Sequence, residues 1–113
     1  MWFRIVYQFL KQLGTILYQR LNSTFLTMPK SFVRPPISVF IITKNEADRI
    51  ATVINAAQEI ADEILVIDSG SDDKTVEIAQ SLGAKTFHNA WQGYGQQKVF
   101  GESLCKNKWI LNI

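Results

Sequence analysis

The sequence has one cysteine, Cys105, and one histidine, His88. A lone cysteine excludes an intrachain disulfide framework and any multi-cysteine zinc site. Thiol catalysis would need a paired base, and His88 is the only histidine that could serve. The chain also lacks a clean run of ~20 apolar residues, the length that a membrane-spanning helix needs. Arg4, Lys11 and Arg20 interrupt every candidate window near the N-terminus. A secretory signal peptide fits poorly for the same reason, because Lys11-Gln12 falls where its apolar core would be. There is no Walker-type phosphate loop. Gly93-Tyr94-Gly95 is not a dinucleotide fingerprint, since the third glycine is missing. Finally, residues 1–36 contain no acidic side chain at all.

What is present divides along that last line. The 113 residues suit one domain, and 47% hydrophobic content with 19% charged excludes a wholly disordered chain. Residues 1–36 carry Arg4, Lys11, Arg20, Lys30 and Arg34, whereas residues 37–113 carry seven basic against ten acidic residues. The formal net charge of +2 therefore hides a basic, apolar arm joined to a mildly acidic body. A uniformly basic nucleic-acid binder is excluded.

In the arm, Trp2, Ile5, Val6, Phe9, Leu10, Leu13, Ile16, Leu17 and Leu21 recur at helical spacing, with Arg4, Gln8, Lys11, Thr15 and Gln19 on another face. The pattern predicts an amphipathic helix over residues 2–22, weakened by ~1 kcal/mol at Gly14. Pro29, Pro35 and Pro36 then mark an extended linker. A helix basic on one face and aromatic-aliphatic on the other suits the surface of an anionic membrane. The same stripe would also serve to pack on the rest of the protein or on a second copy; a third reading is an artefactual extension.

The body alternates. Ile37–Thr43 is a β-branched, nearly continuous apolar run, the pattern of a strand buried on both faces. Residues 47–59 place Ile50, Val53, Ile54 and Ala57 at helical spacing. A second buried strand spans Glu63 to Asp68. A helix over residues 74–82 follows, with Asp72 or Asp73 as its cap and Gly83 closing it. Residues 84–88 form a short strand. Residues 96–106 read as a helix with Val99, Phe100, Ser103 and Leu104 inward, and residues 108–113 as a fourth strand with Trp109 in the core. The order β-α-β-α-β-α-β predicts an α/β fold with a parallel sheet, right-handed crossovers and helices on its faces.

Ligands of such sheets bind outside the carboxyl ends of the strands. That rule selects residues 43–46, 68–73 and 89–98. Asp68 ends the second strand, where an acid commonly meets a ribose or base edge; it could equally hold its own turn. Ser69 and Ser71 offer hydroxyls beside it. Glu46 lies one strand away and could instead favour its own helix start. Lys98 could meet a diphosphate as a point charge, or be a solvated lysine. Trp91, Tyr94 and Trp109 could stack on a base or sugar.

At these residues the chain resembles glycosyltransferase family 2, with the GT-A fold, whose first half is a Rossmann-like parallel sheet. The resemblance is carried by Val39-Phe40-Ile41-Ile42-Thr43-Lys44-Asn45-Glu46 and by Glu63-Ile64-Leu65-Val66-Ile67-Asp68-Ser69-Gly70-Ser71-Asp72-Asp73-Lys74-Thr75. Trp91-Gln92-Gly93-Tyr94-Gly95-Gln96-Gln97-Lys98 and Trp109-Ile110-Leu111-Asn112-Ile113 follow at the expected separations. The Lys-Asn-Glu form and the Trp91–Lys98 segment are similar to enzymes that add glucose or a related hexose to the lipopolysaccharide inner core.

The resemblance implies a nucleotide-sugar site at Thr43, Lys44, Asn45, Glu46, Asp68 and Ser69, with Lys98 near the pyrophosphate. It implies UDP-glucose as donor and a lipopolysaccharide core acceptor. It also implies a Mg²⁺ or Mn²⁺ ion held by an Asp-x-Asp element that would follow the strand ending at Ile113. On this reading residues 37–113 are the donor-binding half of a transferase domain, inactive in transfer by themselves. Residues 1–22 would hold the protein at the cytoplasmic surface of the inner membrane. Two alternatives stand beside it: a non-catalytic membrane-associated module and an inactive, truncated remnant.

Overall fold

The computed structural model describes residues 36–113; the helix expected over residues 2–22 and the proline linker up to Pro35 lie outside them. The elements are β1 (Ile37–Thr43), α1 (Ile50–Gln58), β2 (Glu63–Asp68), α2 (Thr75–Ser81), β3 (Lys85–His88), α3 (Tyr94–Leu104) and β4 (Trp109–Asn112). The four strands make one sheet in the order β3-β2-β1-β4, with every neighbouring pair parallel. Thr43 pairs with Asp68, Asp68 with His88, and Phe40 with Asn112.

Alternation along β1 and β2 divides the core between the two faces of the sheet. Val39, Ile41 and Val66 pack with Ile50, Val53, Ile54 and Ala57 of α1 and Ala79 of α2. Phe40, Leu65 and Ile67 face the other way, against Phe100 and Leu104 of α3. Both central strands are thus covered on both faces, which is why their sequences are apolar without a break. Each fully buried Val, Leu, Ile or Phe stabilises the fold by ~1.5–3 kcal/mol relative to exposure.

Three expectations are corrected. The first helix starts at Ile50, not at residue 47. The amides of Asn45, Glu46 and Ala47 are taken by Ser71, Thr75 and Asp73 across the loop, and residues 46–49 form a turn on the Glu46 carbonyl. In α3, Val99 and Ser103 face solvent, and Gln97 and Gly101 are the buried positions. Gln97 is admitted because its amide pairs with Asn89, donating to the Asn89 carbonyl and accepting from the Asn89 side chain. Trp109 is 65% exposed, because it opens the edge strand β4, and at the far end of that strand it is Leu111 and Ile113 that join the core.

A fourth expectation is corrected at α2. Lys74, and neither Asp72 nor Asp73, stands at its N-cap, without a side-chain cap bond; Asp73, one residue before it, accepts the Thr75 amide at 3.0 Å. At the far end the Gly83 amide bonds the Gln80 carbonyl and the Ala84 amide the Ala79 carbonyl, the paired closure of a helix C-terminus.

Candidate functional site

Consecutive strands run from β1 outward to β2 and β3, and the chain then crosses back to place β4 on the other side of β1. The β1–β4 boundary is therefore a topological switch point. Loops leaving the strands on its two sides diverge there, which opens a crevice at the carboxyl ends. A cavity of about 880 Å³ occupies that place, within the size range of small-molecule and cofactor sites.

Its wall is assembled from four segments. The end of β1 and the following loop supply Ile42, Thr43, Lys44, Glu46 and Arg49. The residue after β2 supplies Ser69, and the end of β4 supplies Asn112. The β3–α3 loop and α3 supply Trp91, Tyr94 and Lys98. Of the residues expected from sequence, Thr43, Lys44, Glu46, Ser69 and Lys98 are brought together here. Asn45 and Asp68 do not line the cavity.

The reason lies in their hydrogen bonds. Asn45 has a positive φ of 53°; its amide donates to the Ser71 hydroxyl at 2.8 Å, and its side-chain oxygen accepts the Asp72 amide at 2.8 Å. The buried Asp68 carboxylate accepts the amides of Gly70 at 2.9 Å and Ser71 at 2.8 Å, together with the Ser71 hydroxyl. Both side chains hold loops in shape, and the cavity is lined by their neighbours. Asp73 adds to this stitching. Its bond with the Thr75 hydroxyl, with the Thr75 and Ala47 amides, holds its carboxyl below the ordinary aspartate value against the opposing effect of burial.

The cavity is cationic and hydroxyl-bearing. Lys44, Arg49 and Lys98 face a single carboxylate, Glu46. Arg49 approaches only the exposed Asp48, at 3.8 Å, and among the described residues neither Lys44 nor Lys98 forms a salt bridge. Thr43 is 3% exposed, and its hydroxyl is, among the described residues, the buried side-chain polar atom without a hydrogen-bond partner. Leaving such a group unsatisfied costs ~1–3 kcal/mol. Arg49 and Asn112 were not singled out from sequence. The signal for Arg49 was its position three residues after Glu46, which a turn brings back to the same rim.

Other chemistry is excluded by position. His88 ends β3 at the carboxyl edge of the sheet, whereas Cys105 precedes β4 at the amino edge. Burial and the nearby Glu63 charge push the Cys105 thiol up, away from the thiolate form. Among the described residues no group of three or more His, Cys, Asp and Glu converges as a metal site. These described residues do not fit a divalent ion. The cavity offers positive charge from Lys44, Arg49 and Lys98 and hydrogen-bonding side chains from Ser69 and Asn112.

Comparison with known proteins agrees with this geometry. The model of Glycosyl transferase family 2 matches residues 38–113. A glycosyltransferase of Rickettsia bellii strain RML369-C is 62% identical over 77 residues, covering 68% of this chain and 26% of the relative. The lipopolysaccharide core biosynthesis glycosyltransferase LpsC of Rhizobium meliloti strain 1021 is 35% identical over 83 residues, covering 69% of this chain and 30% of that protein. The chain thus spans between a quarter and a third of the length of these relatives. Among solved structures, glucosyl-3-phosphoglycerate synthase of Mycobacterium tuberculosis, in complex with Mn²⁺, UDP and glucosyl-3-phosphoglycerate, superposes with a TM-score of 0.57 at 27% identity, over 70% of this chain and 33% of that one. Mannosyl-3-phosphoglycerate synthase of Rubrobacter xylanophilus shares the fold, with a TM-score of 0.60 at 22% identity, over 67% and 29%. The sheet order, the crevice at its switch point and the matched residues lead to one conclusion: the chain belongs to glycosyltransferase family 2.

Proposed function

We propose that residues 37–113 bind the nucleoside-diphosphate part of a sugar donor in the crevice between β1 and β4. We propose further that the protein they serve transfers a hexose, glucose from UDP-glucose, to a lipopolysaccharide inner-core acceptor. One observation carries the donor reading: Lys44, Arg49 and Lys98 line one cavity, together with Thr43 and Ser69, at the switch point of a parallel sheet. Lys98 and Lys44 would neutralise the diphosphate, while Thr43 and Ser69 would meet polar atoms of the ribose and base. The glucose and core-acceptor part is supported by the likeness to LpsC and by the UDP-bound synthase of similar fold. The divalent ion would come with the family's further residues. The basic arm supports a place at the cytoplasmic surface of the inner membrane, with residues 1–22 against anionic lipid.

The test is calorimetric titration of the full chain with UDP, UDP-glucose and UMP. Diphosphates should bind more tightly than UMP, with affinity falling as salt is raised. Lys98→Ala should weaken UDP binding roughly tenfold. No binding of any of the three would refute the donor site. A non-catalytic membrane module is favoured instead if anionic vesicles bind the chain through residues 1–22 while no nucleotide binds.

A further inference from the structure

Trp91 and Tyr94 are among the largest exposed side chains of the described residues, 48% and 67% accessible. Neither belongs to either half of the core. Both line the cavity at the switch point. Their rings meet edge to face, with centroids 4.7 Å apart and planes at 88°. In such a pair the ring that offers its edge keeps both faces free, and the ring that offers its face keeps one. Each ring therefore has a face left for a flat partner. Gly93 sets the pair up. Its φ of 101° is a conformation open to glycine, and it turns the chain into α3 so that Tyr94 opens the helix beside Trp91. Four residues on, Lys98 lies on the same side of α3 as Tyr94.

The cavity thus has two unlike walls. The β1 and β2 ends contribute Thr43, Lys44, Glu46 and Ser69, which are polar; the β3–α3 loop and the first residue of α3 contribute two aromatic rings. A hexose, with hydroxyls around its ring, is matched by the polar wall. A nucleobase offers the aromatic wall a wider flat face than the C–H face of a hexose does, and its polar edges meet the other wall at the same time. We propose that Trp91 and Tyr94 form the stacking platform of the nucleobase, whose edge is turned to the Thr43–Glu46 loop, with the diphosphate reaching Lys98. The proposal rests on the donor-site reading above and adds the residues that hold the base. Stacking on an aromatic face is tolerant of base identity, so this platform confers affinity for any nucleoside diphosphate and leaves base choice to the polar loop.

The experiment titrates the full chain, and its Trp91→Ala, Tyr94→Ala and Trp91→Phe variants, with UDP, GDP, UDP-glucose and inorganic pyrophosphate, with circular dichroism confirming the fold. Loss of a stacking ring should weaken UDP and GDP alike by roughly 10- to 100-fold, leave pyrophosphate unchanged, and be largely restored by Trp91→Phe. Unchanged UDP affinity in both alanine variants overturns the proposal. So does a loss seen for UDP-glucose but not UDP, which would put the rings against the hexose, and so does an equal loss for pyrophosphate. A wild-type chain that binds none of these ligands overturns the donor site itself, and is recognised before any substitution is made.

Discussion

Gly101 of α3 lies directly against the ring of Phe40 in β1: a β-carbon built on the glycine would stand 2.5 Å from Phe40 Cδ2 and 2.7 Å from Cε2. Phe40 is fully buried in the central strand, so its ring has nowhere to retreat. The contact sets how closely α3 approaches the sheet. Because α3 carries Tyr94 and Lys98, it also sets the width of the crevice.

Gly101→Ala should therefore destabilise the chain by ~1–3 kcal/mol, the usual cost of overpacking a filled core, although alanine is the better helix former. Urea unfolding measures it. Phe40→Leu on the same chain should recover part of the loss, so that the two substitutions together cost less than the sum of each alone. Strict additivity would mean that the two residues do not press on each other.

At Asn45 the strain of a positive φ and the side-chain bond to the Asp72 amide separate by substitution. Asn45→Gly removes the acceptor and relieves the backbone; Asn45→Ala removes the acceptor and keeps the strain. Alanine should cost ~1–2 kcal/mol and glycine less. In both variants hydrogen exchange at the Asp72 amide should quicken. Equal stability of the two variants would show that the backbone there carries no strain.

At the amino edge of the sheet, Glu63 is buried with its carboxylate filled. Ser38 Oγ donates to Oε1 at 2.7 Å, the Lys106 amide to Oε1 at 2.8 Å and Lys85 Nζ to Oε2 at 2.7 Å. Burial pushes the carboxyl up, but the Lys106 amide, Lys85 and Ser38 together outweigh it and hold the value below that of an ordinary glutamate. The folded state thus favours the charged form. The stabilisation is present above the unfolded value of ~4.3 and is lost as pH falls through the lower folded value. Unfolding free energy should drop on acidification below about pH 4, and Glu63→Gln should flatten that slope while costing ~1–3 kcal/mol at pH 7. A slope unchanged by the substitution would assign the acid sensitivity to other carboxylates.

Strands β1 and β2 were legible in the sequence because burial on both faces leaves an unbroken apolar run, and only the centre of a parallel sheet demands one. The cavity residues were legible because strand ends are. Periodicity failed on α3, where Gly101 is buried because Phe40 is large and Gln97 because Asn89 satisfies its amide. Both facts concern partners distant in sequence, and hydrophobicity along one helix cannot encode them. Trp109 misled for the converse reason: its apolarity is plain, but whether an edge strand is covered is not written in the strand. Asn45 and Asp68 have the chemistry of ligand-binding residues, and the structure adds that the Asn45 side-chain oxygen holds the Asp72 amide and the Asp68 carboxylate the amides of Gly70 and Ser71.

The bonds between the β1–α1 and β2–α2 loops bear on where the entropy of ligand capture falls. Asn45, Glu46 and Ala47 are tied to Ser71, Thr75 and Asp73, and Ser69 to the Thr43 carbonyl. Two loops joined this way behave as one rigid jaw, already ordered before anything binds. No hydrogen bond among the described residues ties Trp91 or the Tyr94 ring to that jaw. A molecule entering between them meets one side whose shape is settled and another whose rings are held by each other. Differences in affinity between ligands of equal charge should then arise from how the aromatic side settles, and appear in the rate at which they leave.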